Sequence, residues 1–379
     1  MTAGFAIGTP LSPPRTTGPD SRITSCLKFL TYNTHLFAGA GVARDAQSGS
    51  VYRTGFIYED EERAELIPQC IRALNPDIVG LTEAWHPQVR QQMITSLQDI
   101  YPYHYSSDGL EGISEIFRSL ESRWPRTTAA VKYLLPRTPQ IVDGLSSLHY
   151  NSGKCGLLAG ALRCFNGLVP EDTVYRSLKW LVNPDAQWHA FDDALLLLSR
   201  YPIQNATIST YQARADHEHF VRKGILKAEI HPADRAPVTV LLTHNQEGES
   251  WHARRARQMQ MNKLRDLRNQ SPYPVVIMGD LNEKREDWLA QQLNLTDTYR
   301  HHFPDSQEFP GYTYDAETPY AKKQGIVLGS NSRLRLDYVF ADQSLPIRTS
   351  RICRDEFRHP QKEYDLSDHF PVEAEVEVA

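Results

Sequence analysis

Eight apolar runs of strand length punctuate the chain: Leu27–Tyr32, Asp77–Thr82, Ala194–Ser199, Ile225–Ile230, Val238–Thr243, Val275–Gly279, Leu336–Phe340 and Val372–Val378. Helical spacing appears between them. Ala64, Ile67, Ile71 and Leu74 share one helical face, and Pro68 inside that pattern predicts a kink or a late start. A second helix is predicted over Trp251–Arg268. Strands alternating with helices and meanders through the whole chain imply one layered α/β domain. A length of 379 residues would also accommodate two or three small domains, but the rhythm gives no place to cut them.

One stretch departs from that rhythm. Over residues 110–187 the pattern turns helical, interrupted by Pro125, Pro136, Pro139, Pro170 and Pro184, and strands resume on both sides. The expectation is a helical subdomain inserted into a domain spanning 26–379. Residues 1–25, rich in Pro, Gly, Thr and Ser, read as a disordered lead-in. They lack the charged start and apolar core of a standard secretory signal, so a cytoplasmic location is expected, with unconventional secretion or peripheral membrane association open. Five cysteines without a CxxC pair argue against a zinc site or a disulfide framework.

Hydrophobic residues at 40% and charged residues at 23% suffice for a real core and exclude wholesale disorder. A net charge of −5 argues against a dedicated nucleic-acid binder. No apolar run reaches the ~18 residues of a transmembrane helix.

Polar residues gather where the apolar runs end. Asn33 and His35 follow the first in TYNTH, and Glu83 follows the second in GLTEAW. His244, Asn245 and Gln246 follow LLT, and Asp280 and Asn282 lie in GDLNE. Asp337 lies in RLRLDYVF, and Asp368 and His369 lie in LSDHFPV before the last run. Any one of these is most simply a turn former or a helix cap. Six such positions, all at strand ends where α/β sheets build their sites, point to a common site.

In this order TYNTH, LTEAW, LLTHNQ, GDLNE, LDYVF and SDHFPV resemble the motif set of the endonuclease/exonuclease/phosphatase superfamily, from about Leu27 to Val378. GDLNE and SDHFPV are the most diagnostic. The resemblance implies the DNase I-like fold, a four-layer α/β sandwich of two packed mixed β-sheets flanked by helices. It also implies hydrolysis of phosphodiesters or phosphomonoesters with Mg²⁺, for which Mn²⁺ or another divalent ion can stand in.

Mg²⁺ is hard, prefers oxygen and keeps several waters, so one or two protein ligands suffice. Glu83 is the first expected ligand, with the Asn33 amide oxygen and Asp368 as further contacts. His369 is the expected general base, with Asp337 holding its tautomer, and Asp280 is its rival for that role. His244, Asp280 and Asn282 would grip the phosphoryl oxygens and assist the leaving oxygen. Asp193 matches the position of a carboxylate that orients His244; its neighbour Asp192 is an alternative, and so is a plain strand-edge role.

Within the superfamily, FDDALLLLSRYPI, RKGILKAEI, LLTHNQ and GYTYDAETPYAKK resemble the neutral sphingomyelinase branch. Thr318-Pro319 stands where that branch has an Asn, and the basic SLPIRTSRICRDEFRHPQKEY replaces an aromatic, membrane-dipping hairpin of its secreted bacterial members. The implied activity is a Mg²⁺-dependent phosphodiesterase of sphingomyelinase type, with a phospholipid substrate. Alternatives are a nuclease, engaging DNA through Arg222, Lys223 or the basic helix bearing Arg254, Arg255, Arg257, Lys263, Arg265 and Arg268; an inositol-phosphate or nucleotide phosphatase; and an inactive scaffold that binds a partner through the insert. Nucleic acid is the less expected partner. The apolar run Gly156–Val169, at 14 residues too short to span a bilayer, is a candidate for peripheral membrane contact or for covering the active-site mouth, with a helix packed on its neighbours as the simpler reading.

Overall fold

The computed structural model describes residues 26–36, 43–44, 51–52, 60–84, 87–107, 194–216, 218, 221–324 and 333–378. The lead-in 1–25, the insert 110–187 with its apolar run 156–169, and Asp192 and Asp193 lie outside the described residues.

Among the described residues, twelve strands form the framework. In chain order they are β1 (Cys26–Leu36), β2 (Ile78–Ala84), β3 (Tyr103–Ser106), β4 (Leu196–Ser199), β5 (Ile203–Thr210) and β6 (Gly224–Ile230). They continue with β7 (Val238–His244), β8 (Val275–Asp280), β9 (Thr296–Asp297), β10 (Asp337–Ala341), β11 (Ile347–Ile352) and β12 (Val372–Glu377). One sheet runs β11-β12-β1-β2-β4-β3 and the other β9-β10-β8-β7-β6-β5. Each has one parallel pair at its centre, β1 with β2 and β7 with β8, and antiparallel neighbours outward. The carboxyl ends of both parallel pairs therefore share an edge with the amino ends of β10 and β12.

Alternate residues of these strands serve two different cores. Phe29, Ile78 and Leu197 of the first sheet meet Leu242, Val276 and Met278 of the second. On the far side of the first sheet, Leu30, Val79 and Leu198 are covered by Ile67, Ile71 and Met93 of helices α1 (Asp60–Leu74) and α2 (Pro87–Leu97). On the far side of the second, Leu241, Val275 and Ile277 meet Met261, Leu264 and Leu289 of α3 (Trp251–Asn269) and α4 (Glu286–Leu293). Burial on both faces explains why the strands read as continuous apolar runs. The four-layer sandwich is the fold the motifs implied. The sheets approach closely at Gly80, where a Cβ would stand 2.2 Å from Met278 Cε.

Helix α1 starts at Asp60 and passes through Pro68, so the late start is not observed. A buried interior proline costs about 3 kcal/mol. Burying Ala64, Ile67 and Ile71 offsets it, at roughly 1.5–3 kcal/mol for each large side chain. Strands β3, β5 and β11 are at or near the sheet edges and carry mostly part-exposed residues, which is why no apolar run announced them. No helix among the described residues is long and apolar enough to cross a membrane.

Candidate active site

The shared strand edge collects the motif residues. Asn33 pairs with Thr82 in the β1–β2 ladder, and a bulge follows it. Beyond that point His35 (φ 47°) and Glu83 (φ 56°) adopt the left-handed conformation, which re-aims their side chains at a cost of roughly 1–3 kcal/mol each. In the second sheet Asp280 is level with His244 on one side and with Asp337 on the other. Gly279 before it has φ 136°, and a Cβ there would lie 1.9 Å from the Thr243 carbonyl oxygen, so only glycine delivers Asp280 at this height.

The Asn33 Nδ2 group donates to Glu83 Oε1 at 2.8 Å and to Asp280 Oδ2 at 3.0 Å, joining the two sheets. His244 Nε2 lies 3.6 Å from each of the same carboxylates. His369 Nδ1 is 2.7 Å from Asp337 Oδ2, and its Nε2 faces Asp280 Oδ2 at 4.0 Å. The backbone N–H of Asn282 donates to Asp280 Oδ1, and its side-chain amide donates to the Asn245 carbonyl. Glu83, Asp280 and Asp337 are each buried.

Crowding shifts their protonation. Burial pushes the Glu83 carboxyl up to about 8, against the pull of the Asn33 hydrogen bond. Burial and the nearby Asp337 charge push Asp280 to about 7. Burial opposes charge on His369, but Asp337, Asp280 and Asp368 outweigh it and hold the imidazole well above its ordinary range. Burial, reinforced by Arg63 and His369, drives His35 down to about 4 despite Asp368, so it is neutral at pH 7.

Asn33, Glu83, His244, Asp280, Asp337 and His369 thus stand together, with Asn282 bonded behind Asp280. Two details differ from the sequence expectation. Asn33 presents its nitrogen to the carboxylates, while its oxygen accepts from the His35 N–H at 3.1 Å, because two neighbouring carboxylates demand a donor. Asp368 accepts from Ser367 Oγ and faces His35 Nδ1 at 3.7 Å, beside the cluster and not in it.

Other residues at the site were not marked by any strand end. Thr313 Oγ1 accepts from the N–H groups of both Leu336 and Asp337 at 3.0 Å, and the Tyr314 ring stands edge-on to His369. Fully buried Arg63 donates to the carbonyls of Leu366 and His35 and to the Tyr320 hydroxyl, tying α1 to three motif segments. Lys223 is also fully buried: it pairs with Glu218, donates to the Asn245 carbonyl and lies 3.0 Å from His244 Nε2. It is no surface contact for DNA. Arg257 of the basic helix is likewise turned inward, donating to the carbonyls of Gln246 and Gly248.

The donor set suits a hard divalent cation. Glu83, His244 and Asp280 offer ligand atoms within 4.8 Å of one another, as do Asp280, Asp337 and His369. The raised carboxyls of Glu83 and Asp280 are what an added positive charge would return to their ionised form.

Comparison with known proteins finds the same fold. A double mutant of Staphylococcus aureus beta toxin with bound magnesium ions shares the fold, at 17% identity, covering 92% of this chain and 98% of that one, TM-score 0.52. Sphingomyelinase C from Streptomyces griseocarneus matches at 17% identity, 92% and 99% coverage and TM-score 0.52. TDP2 from Caenorhabditis elegans matches at 14% identity, 93% and 74% coverage and TM-score 0.52. At these identities the likeness is one of fold. No curated protein matches the sequence. Residues 30–369 match the Endonuclease/Exonuclease/phosphatase family, which is most of the chain, and the protein therefore belongs to that family.

Proposed function

We propose that the protein is a Mg²⁺-dependent phosphodiesterase of sphingomyelinase type, cleaving the headgroup phosphodiester of a phospholipid. The observation that carries the reading is the Asp337–His369 pair set beside the Glu83–Asn33–Asp280 cluster. Glu83 and Asp280 would hold the ion, which supplies Lewis-acid stabilisation of the phosphoryl oxygens. Asp337 fixes His369 Nδ1, leaving Nε2 to exchange the proton of the attacking water. The surrounding carboxylates, Asp337 first, favour the charged form of that ring. Asp280, whose Oδ2 lies 4.0 Å from His369 Nε2, is the rival for that proton wherever it is not engaged by the ion. His244, whose Nε2 lies 3.6 Å from both Glu83 and Asp280, would grip the phosphoryl oxygens as they gain charge.

The lipid substrate rests on the segments that resemble the neutral sphingomyelinase branch, with the fold of sphingomyelinase C in support. The inward positions of Lys223 and Arg257 remove two of the groups a DNA-groove reader would use. The test offers sphingomyelin vesicles, plasmid DNA, inositol phosphates and a generic soluble phosphodiester in parallel, with Mg²⁺ and with chelator. Phosphocholine release from vesicles that stops with chelator is expected. Turnover of DNA with intact sphingomyelin would overturn the lipid assignment and leave a nuclease.

A further inference from the structure

The catalytic segment has a back. Tyr314 bridges antiparallel to His369 at the reacting edge, and the next residues, Asp315 and Phe370, point the opposite way. There they floor a separate cleft of about 280 Å³, walled by Tyr299, Tyr312, Arg333 and Arg354. Nothing in the chemistry described above uses it.

Two half-exposed guanidinium groups converge in this cleft. Arg333 Nε donates to Asp315 Oδ2 at 3.2 Å, and Arg354 Nη1 lies 3.7 Å from the same oxygen. The Arg354 guanidinium stacks 4.4 Å from the Phe370 ring centre, which fixes its plane. Arg354 also pairs with Asp365 outside the lining, and within the lining two guanidinium groups face one carboxylate. Aromatic faces complete the walls. Gly311, at φ 66°, lies so close to the Tyr299 ring that a Cβ would be 2.4 Å from it, and its lack of a side chain keeps the loop flat on that wall.

We propose that the cleft binds a phosphate ester that also bears a flat ring, as a nucleoside monophosphate does. The oxyanion would take the guanidinium edges of Arg333 and Arg354 in competition with Asp315, and the ring would lie against Tyr312, the exposed aromatic of the lining. A planar fork that matches phosphate geometry beside aromatic walls suits this class better than a lone inorganic anion, which uses only the charge. This binding is read without turnover, so it stands or falls separately from the proposed activity.

The test is calorimetric titration of the full chain, in chelator and at constant ionic strength, with adenosine monophosphate, phenyl phosphate, inorganic phosphate and phenol. Both ring-bearing phosphates should bind, inorganic phosphate several-fold more weakly, and phenol not measurably. Arg333→Gln and Arg354→Gln should each weaken binding about tenfold, the scale of one charge-assisted hydrogen bond. Asp315→Asn should tighten it by removing the competitor; thermal melting would confirm that this variant is folded. His244→Ala should leave it unchanged. Binding that survives both arginine variants, or that disappears in His244→Ala, belongs to the reacting edge and overturns the proposal, as does no binding of either ring-bearing phosphate at millimolar concentration.

Discussion

At the scale of single residues the site is an excess of buried negative charge held together by one amide. Asn33 donates to both Glu83 and Asp280 across the two sheets, yet both carboxyls remain pushed up, to about 8 and about 7. A raised carboxyl means that the folded chain holds protons the unfolded chain has already released. Stability of the metal-free protein should therefore fall as pH rises from about 4 or 5, the ordinary carboxylate range, towards 8. A divalent ion should reverse that fall by favouring the ionised forms. Glu83→Gln removes one titrating group and one ligand, so it should flatten the pH dependence and shrink the stabilisation by Mg²⁺. Melting temperatures between pH 5 and pH 8, with Mg²⁺ and with chelator, check this. An unchanged Mg²⁺ response in Glu83→Gln would remove Glu83 from the metal site.

At the scale of elements the catalytic pair depends on a short crossing of chain segments. Asp337 begins β10, His369 precedes β12, and Thr313 connects them: its hydroxyl accepts from the Leu336 and Asp337 N–H groups, and its carbonyl accepts from the Phe370 N–H. If Asp337 and His369 act as a unit, Asp337→Asn, His369→Ala and the double variant should show similar residual rates. Thr313→Val strands two buried N–H donors, with a stability loss of roughly 1–3 kcal/mol for each. It should lower kcat in the parent but add little to His369→Ala, and Thr313→Ser should restore most of the rate. Multiplicative losses would show that Thr313 and the pair act independently. The same crossing shows why sequence inspection passed over Thr313: nothing distinguishes its hydroxyl from that of any other loop threonine until β10 is placed beside it.

At the scale of the whole molecule, substrate access is the remaining matter. None of the six motifs falls within 110–187, and the hypothesis to test is that its apolar run Gly156–Val169 forms a lid or a membrane-contacting patch. Phe165→Glu should then spare turnover of a soluble phosphodiester while vesicle binding and vesicle turnover collapse. Loss of both together with thermal stability would make that run internal core.

The apolar runs by themselves determined a layered α/β domain, because a strand buried on both faces has to be apolar at every position, while the two-sheet sandwich followed only from the resemblance carried by the six motifs. Glu83, His244, Asp280, Asp337 and His369 were legible for a related reason, since each sits at or beside one end of such a run, where the chain leaves or enters the core. Only the tertiary structure decided how those ends are used. It turned the Asn33 nitrogen toward two carboxylates, set Asp368 against His35, and drew Lys223 and Arg63 inside as buried cations. Each of these depends on which charges lie within a few ångströms across a sheet–sheet boundary, with partners as distant in sequence as Asn33 and Asp280, and local pattern carries no record of such distances.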